Sequence, residues 1–122
     1  MNLPDWREEP IGRHHDRENF DCGDDAMNGF LRSHARKNHE RGASKTFLAV
    51  AKGDAAVLGF YTLSPAEAEF ERVPEGFRKG LGRYAVGGFR LARLAVSRGA
   101  QGKGLGGQLL MAAGLRCISG PQ

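Results

Sequence analysis

The chain has 122 residues, 40% of them hydrophobic and 26% charged, with two cysteines and a formal charge of +4; this suffices for one domain with one core, and Cys22 and Cys117 offer neither a disulfide framework nor metal-ligand spacing. No run of 18 apolar residues could span a membrane, and the opening MNLPDWREEPIG lacks the apolar core of a signal peptide, so a cytoplasmic protein with two free thiols is expected. The charge is lopsided: residues 1–80 carry 12 basic and 14 acidic side chains, whereas residues 81–122 hold Arg83, Arg90, Arg93, Arg98, Lys103 and Arg116 and no acid, which points to an anionic ligand, a nucleic acid or both.

Glu9-Pro10-Ile11 predicts a short first strand. His14-His15-Asp16 resembles a metal cluster, but adjacent side chains seldom converge on one ion, and an exposed polar loop is expected. Phe20-Asp21-Cys22-Gly23-Asp24-Asp25 is turn chemistry that leads into a helix capped by Asp24 or Asp25. That helix is predicted over Ala26–Glu40, with Met27, Phe30, Leu31, Ala35 and Asn38 on one face and Gly42 as the stop. Its other face carries Arg32, Arg36, Lys37 and Arg41, either a solvated surface or a nucleic-acid contact. His34 and His39 read as surface or packed residues.

Thr46–Ala51 predicts a strand, Lys52-Gly53-Asp54 a hairpin turn, and Ala56–Leu63 the second arm, checked by Pro65, with residues 66–71 as an edge continuation. Gly59 within that arm predicts a bulge or a close backbone approach. Val73–Val86 reads as a charged connection with a helical turn at Pro74–Lys79. Phe89–Val96 is then a strand, Gln101–Gly106 a glycine-rich turn, and Leu105 to Ile118 a helix. The order predicts a single α+β (mixed α/β) domain over residues 1–122, built on an antiparallel hairpin followed by strand, glycine turn and helix.

A strand that ends in a glycine turn and restarts as a helix aims several backbone N–H groups, and the helix dipole, at one point. Three phosphate motifs compete for it. Gly102-x-Gly104-x-x-Gly107 matches the dinucleotide fingerprint, but no acid follows on a second strand. Gly102-Lys103 hints at a P-loop, but Gly104 stands where that motif needs Ser or Thr. Gln101-x-x-Gly104-x-Gly106 after an apolar strand resembles the pyrophosphate loop of the GCN5-related N-acetyltransferases (GNAT). With Phe20-Asp21-Cys22-Gly23, Met27-Asn28-Gly29-Phe30-Leu31 and Arg93-Leu94-Ala95-Val96, the sequence resembles the toxin branch of that family, found in toxin–antitoxin operons, over residues 6 to about 118.

The resemblance implies acetyl-CoA as co-substrate and no metal. The diphosphate would rest on the amides of Gln101, Gly102, Lys103, Gly104, Leu105, Gly106 and Gly107, with Lys103 and Arg98 adding charge. The pantetheine arm would pair with the strand edge at Leu94, Ala95 and Val96, where a backbone N–H polarises the thioester carbonyl, an effect typically worth ~3 kcal/mol. The acceptor would be the amino group of an aminoacyl-tRNA, whose acetylation blocks translation, with Arg32, Arg36, Arg90 and Arg93, and the neighbouring Lys37 and Arg41, as RNA contacts. A ribbon-helix-helix antitoxin is the implied protein partner; a homodimer is expected instead from an uncovered strand edge and helix face.

The family continues past this last helix with a further strand and a tyrosine that protonates the leaving thiolate. Neither Tyr61 nor Tyr84 matches that tyrosine, so the catalytic residue is unknown. The toxin branch also has prolines before the strand, where this chain has Ala85, Gly87 and Gly88. The chain reads either as a fragment of an active enzyme or as a catalytically dead remnant that binds CoA, RNA or an antitoxin. On either reading the Phe89–Val96 edge and one face of the last helix lie uncovered, which favours oligomers or poor solubility.

Overall fold

The computed structural model describes residues 3–68 and 86–119. Four strands, β1 (Trp6–Pro10), β2 (Lys45–Ala51), β3 (Val57–Ala68) and β4 (Val86–Val96), form an antiparallel sheet in chain order. Helices α1 (Asp25–Ser33) and α2 (Ala35–Arg41) lie between β1 and β2; a single 3-10 turn (Arg98–Ala100) and α3 (Leu105–Ser119) follow β4. The fold is the α+β class expected from the order of elements.

β2, and β3 as far as Leu63, are mostly apolar because both faces of the sheet are covered there. Successive side chains point to opposite faces. Leu48, Val50, Val57, Phe60 and Ala95 thus meet Phe30, Leu31 and Ala35 of the α1–α2 pair, together with Ile11 and Phe20. Phe47, Ala49, Tyr61 and Leu63 meet Leu105, Leu109 and Ala113 of α3. Thr46 and Thr62, directly opposite in the register, share a buried hydrogen bond of 2.8 Å between their hydroxyls, which satisfies both polar groups in the core.

Gly59 shows both features expected of it. The β2–β3 register shifts beside it, between Ala49 and Val50. A Cβ there would stand 2.9 Å from the Ala95 carbonyl oxygen and 3.0 Å from Leu109, so α3 and β4 close onto β3 only over a glycine. The hairpin turn at Gly53, with φ +77, also forms as expected.

Several expectations are corrected. The first strand starts at Trp6, earlier than Glu9. The one helix predicted over Ala26–Glu40 is two, because His34 leaves helical geometry (φ −125, ψ −35). The kink lays His39 on the start of β2, where its ring stands edge-on to Phe47 and its Nδ1 accepts the Thr46 N–H at 3.0 Å. Asp24 caps α1 by accepting from Ala26 and Met27, and Gly42 ends α2 at φ +78. Pro65 does not check β3, which runs on to Ala68. Pairing with β2 ends at Leu63, so the missing Pro65 N–H withholds nothing from a neighbour on that side. β4 begins at Val86, before Phe89. The connection over residues 73–85, the helical turn at Pro74–Lys79, Arg83 and Tyr84 lie outside the described residues.

His15 is not in an exposed loop either. It is 5% exposed; its Nδ1 accepts the Gly12 N–H at 3.0 Å, and its Nε2 lies 2.7 Å from Glu9 Oε1. Glu9, His14 and His15 do converge. Because the backbone already occupies the Nδ1 lone pair, Nε2 carries the proton and donates to Glu9. That tautomer leaves His15 no lone pair for an ion.

Candidate functional site

The turn after β4 is built from both chain directions. Val96 ends the strand; Ser97 N–H donates to the Leu58 carbonyl at 2.8 Å, and the 3-10 turn carries the chain over the end of the sheet. Gly102 (φ +77) and Gly104 (φ +88) then take left-handed geometry, which a Cβ would disfavour. Leu105 opens α3 and packs against the sheet at 1% exposure.

The first backbone bond of α3 runs from Gln108 N–H to the Gly104 carbonyl at 3.2 Å. Among the described residues, the N–H groups of Gly102, Lys103, Gly104, Leu105, Gly106 and Gly107 donate to no backbone or side-chain acceptor. Among the described residues, and apart from chain neighbours and the helix's own backbone, nothing lies within 4 Å of a Cβ built at Gly102, Gly104 or Gly107, and at Gly106 only Val96 does, at 3.8 Å. Unpaired donors and open space therefore coincide at a helix start, the arrangement that holds phosphate oxygens.

The side chains of the turn point elsewhere. Gln101 N–H closes the 3-10 turn onto Arg98 at 3.4 Å, and its side-chain amide donates to the carbonyls of Val96 (2.9 Å) and Cys22 (3.0 Å). Lys103 Nζ donates to the Gly99 carbonyl at 2.9 Å. Arg98 Nε lies 3.3 Å from Asp21 Oδ2, an exposed pair. Leu94, Ala95 and Val96 pair with Tyr61, Phe60 and Gly59 on one side only. β4 is thus an edge strand among the described residues, with alternate N–H and C=O groups directed outward.

The basic residues fall into two depressions beside the α1–α2 pair. Arg32, Ser33, Arg36 and Lys37, joined by Arg17, line one of about 250 Å³. Arg17 donates to the Arg32 carbonyl at 3.1 Å, Arg36 to Glu40 at 2.8 Å, and the Nε of each is buried without a partner. The other, about 330 Å³, is lined by Phe30, Ser44, Thr62, Ser64, Arg90 and Arg93, among others; Arg93 stacks over the Phe30 ring at 4.1 Å. Ser44 Oγ is buried there without a partner. Arg41 lines neither depression. The sequence pattern missed Arg17, whose partners lie on a helix far along the chain, and Ser44.

Tyr61 is locked away from chemistry. Its hydroxyl donates to Glu8 at 2.8 Å and accepts from Arg116 at 2.8 Å. Burial first, then the Glu8 carboxylate, push its pKa well above the ordinary phenol value.

No protein-family model matches the chain. It is 36% identical over 103 residues to a tRNA-acetylating toxin of Mycobacterium tuberculosis (strain H37Rv), an alignment covering 84% of this chain and 60% of that relative. The chain thus spans about three fifths of that relative's length. Among solved structures it is similar to AtaTR bound with AcCoA (TM-score 0.78, 28% identity, 94% of this chain and 69% of that one). It is similar to a KacT mutant (0.77, 27%, 93% and 69%) and to AtaT complexed with acetyl-methionyl-tRNAfMet (0.76, 28%, 89% and 66%).

Proposed function

We infer the function from the family: the chain belongs to the GCN5-related N-acetyltransferases, in the branch of the toxins of toxin–antitoxin systems. Within that branch we propose that it is the acetyl-CoA-binding part of an N-acetyltransferase acting on the amino group of aminoacyl-tRNA. The observation that carries this reading is the row of unpaired amides from Gly102 to Gly107 at the end of an edge strand. The diphosphate of acetyl-CoA is accepted by those amides, and its pantetheine arm extends the sheet beside Leu94, Ala95 and Val96.

The acyl carbonyl then lies at the edge of β4, where a backbone N–H stabilises the oxyanion. The amine nitrogen forms a bond to the acyl carbon, the carbon–sulfur bond breaks, and the thiolate leaves with CoA while the proton shed by the nitrogen passes to water. An α-amine with pKa near ~8 is neutral in roughly a tenth to a fifth of its molecules at physiological pH, enough that water can take up its proton and positioning supplies most of the catalysis. Tyr61 donates no proton to the thiolate, given its partners. Arg90 and Arg93 on one side and Arg32 and Arg36 on the other, with Lys37 and Arg17, contact the RNA phosphates. A ribbon-helix-helix antitoxin covers the same basic surface, and the bare face of α3 joins two copies.

A second reading rests on the lack of a free acid among the described residues near the turn: a module that binds CoA and RNA without transferring acetyl. Calorimetry with CoA, followed by transfer of labelled acetyl from acetyl-CoA to aminoacyl-tRNA, separates the two. Binding with transfer supports the enzyme, and binding without it supports the module. No heat at millimolar CoA removes both.

A further inference from the structure

The Phe20–Gly23 loop contributes Phe20 to the core, yet its polar groups make more bonds than a connecting loop needs. One set of bonds faces α1. Asn28, 5% exposed at a helix position where an apolar side chain would pack, accepts the Cys22 N–H at 2.9 Å and donates to Asp21 Oδ1 at 3.1 Å. Asp21 Oδ1 also accepts the Gly23 N–H at 2.9 Å. That bond, then Asn28 and Arg98, holds the Asp21 carboxyl below its usual range.

The other set faces the glycine turn. The Asp21 carbonyl accepts the Arg98 N–H at 2.8 Å, and the Cys22 carbonyl accepts the Gln101 side chain at 3.0 Å. Gln101 spans the gap, because the same nitrogen donates to Val96 at the strand end.

A turn with glycines at 102, 104, 106 and 107 has much conformational freedom to lose when it closes on a ligand. Tying its entrance to a rigid helix removes part of that loss beforehand. We propose that Asn28 and Gln101 are positioning residues for the diphosphate turn: Asn28 fixes the loop at residues 21–23, and the Gln101 side chain fixes the turn to that loop. Neither side chain touches the ligand. The inference rests on the reading of the turn as the CoA diphosphate site. It also makes α1, which carries Arg32 on its outer face, part of the same rigid frame as the donor site.

The test compares CoA with pantetheine, which lacks the diphosphate, by calorimetry and NMR titration. Gln101→Met keeps the length of an exposed side chain and removes its donor. Its Kd for CoA should rise about tenfold, the loss of one well-formed tie, while pantetheine binding and the melting temperature stay as in the wild type. Asn28→Leu should weaken CoA in the same selective way, and adding it to Gln101→Met should cost less than it does alone, since both act through one loop. Unchanged CoA binding in Gln101→Met overturns the proposal, as does an equal loss for both ligands. Should Asn28→Leu fail to fold, Gln101→Met still decides. A wild-type protein that binds CoA no better than pantetheine removes the reading of the turn, and this inference with it.

Discussion

Gly106 and Gly107 lie in the first turn of α3, yet among the described residues no neighbouring atom requires them to be glycine. Each costs the helix up to about 1 kcal/mol relative to alanine. Gly107→Ala should therefore leave the fold as stable or raise it by about 0.5–1 kcal/mol in a denaturant titration, while weakening CoA in calorimetry. Stability and affinity moving together would argue that the glycine serves the fold alone.

Glu9 supplies a pH dependence. The His15 hydrogen bond first, then Arg7 and His14, lower its pKa from 4.5 to about 2. A depressed carboxylate contributes stability above its unfolded value and loses it on protonation. Melting temperature should thus fall as pH drops from about 4.5 towards 2, and Glu9→Gln should flatten that limb. His39 has the opposite charge type but the same slope. Burial, then Lys45, lowers its pKa from 6.5, so its neutral form is the folded one. Its contribution is complete above 6.5 and declines below it, as the imidazolium forms and the bond from Thr46 is lost.

At the scale of elements, α3 is held by more than its apolar stripe. Arg116 donates to Glu8 at 3.0 Å and to Tyr61 at 2.8 Å, and its guanidinium lies 3.8 Å above the Phe47 ring. Arg116→Met keeps the stem and removes the charge, leaving Glu8 and the Tyr61 hydroxyl half-buried with fewer partners. The expected loss is about 2 kcal/mol, below that of a fully buried pair because Glu8 and Arg116 are partly solvated. Chemical denaturation measures it, and a change under 0.5 kcal/mol would mean the triad is only surface decoration.

Elements whose cause is local were legible in the sequence. β2 and the first half of β3 show it in their largely apolar runs, the hairpin in Gly53, the end of α2 in Gly42, and the turn in Gly102 and Gly104. Elements decided across the sheet were not. The break at His34 exists because His39 reaches Phe47 and Thr46, and Pro65 stays in β3 because β2 has already ended. The site divides the same way. Its backbone was readable from the glycines, whereas the Gln101 side chain answers to Cys22, 79 positions away, and Asn28 and Arg17 answer to side-chain and backbone partners that no periodicity marks. A buried asparagine among Met27, Phe30 and Leu31 was the one visible hint.

For the whole molecule, two surfaces stand open among the described residues. β4 has a neighbour only in β3, and α3 presents Leu110, Met111, Leu115 and Ile118 at 57, 71, 62 and 86% exposure. Apolar side chains so placed favour self-association. The 122-residue chain should sediment as a dimer or larger species at micromolar concentration, and Leu115→Glu with Ile118→Lys should shift it towards monomer. A wild-type monomer would show that the α3 face tolerates water.

The strands pair in the order in which they are made, each with its predecessor. As the chain leaves the ribosome, every new strand finds its template already in place, so ring closure by distant segments is scarcely needed until the end. The bonds from Gln101 to Cys22 and from Arg116 to Glu8 join positions 79 and 108 apart and can form only once the glycine turn and α3 have emerged. A half-made chain would thus hold most of its sheet while the anion cradle at the start of α3 does not yet exist. Ligand competence would arrive abruptly, with α3.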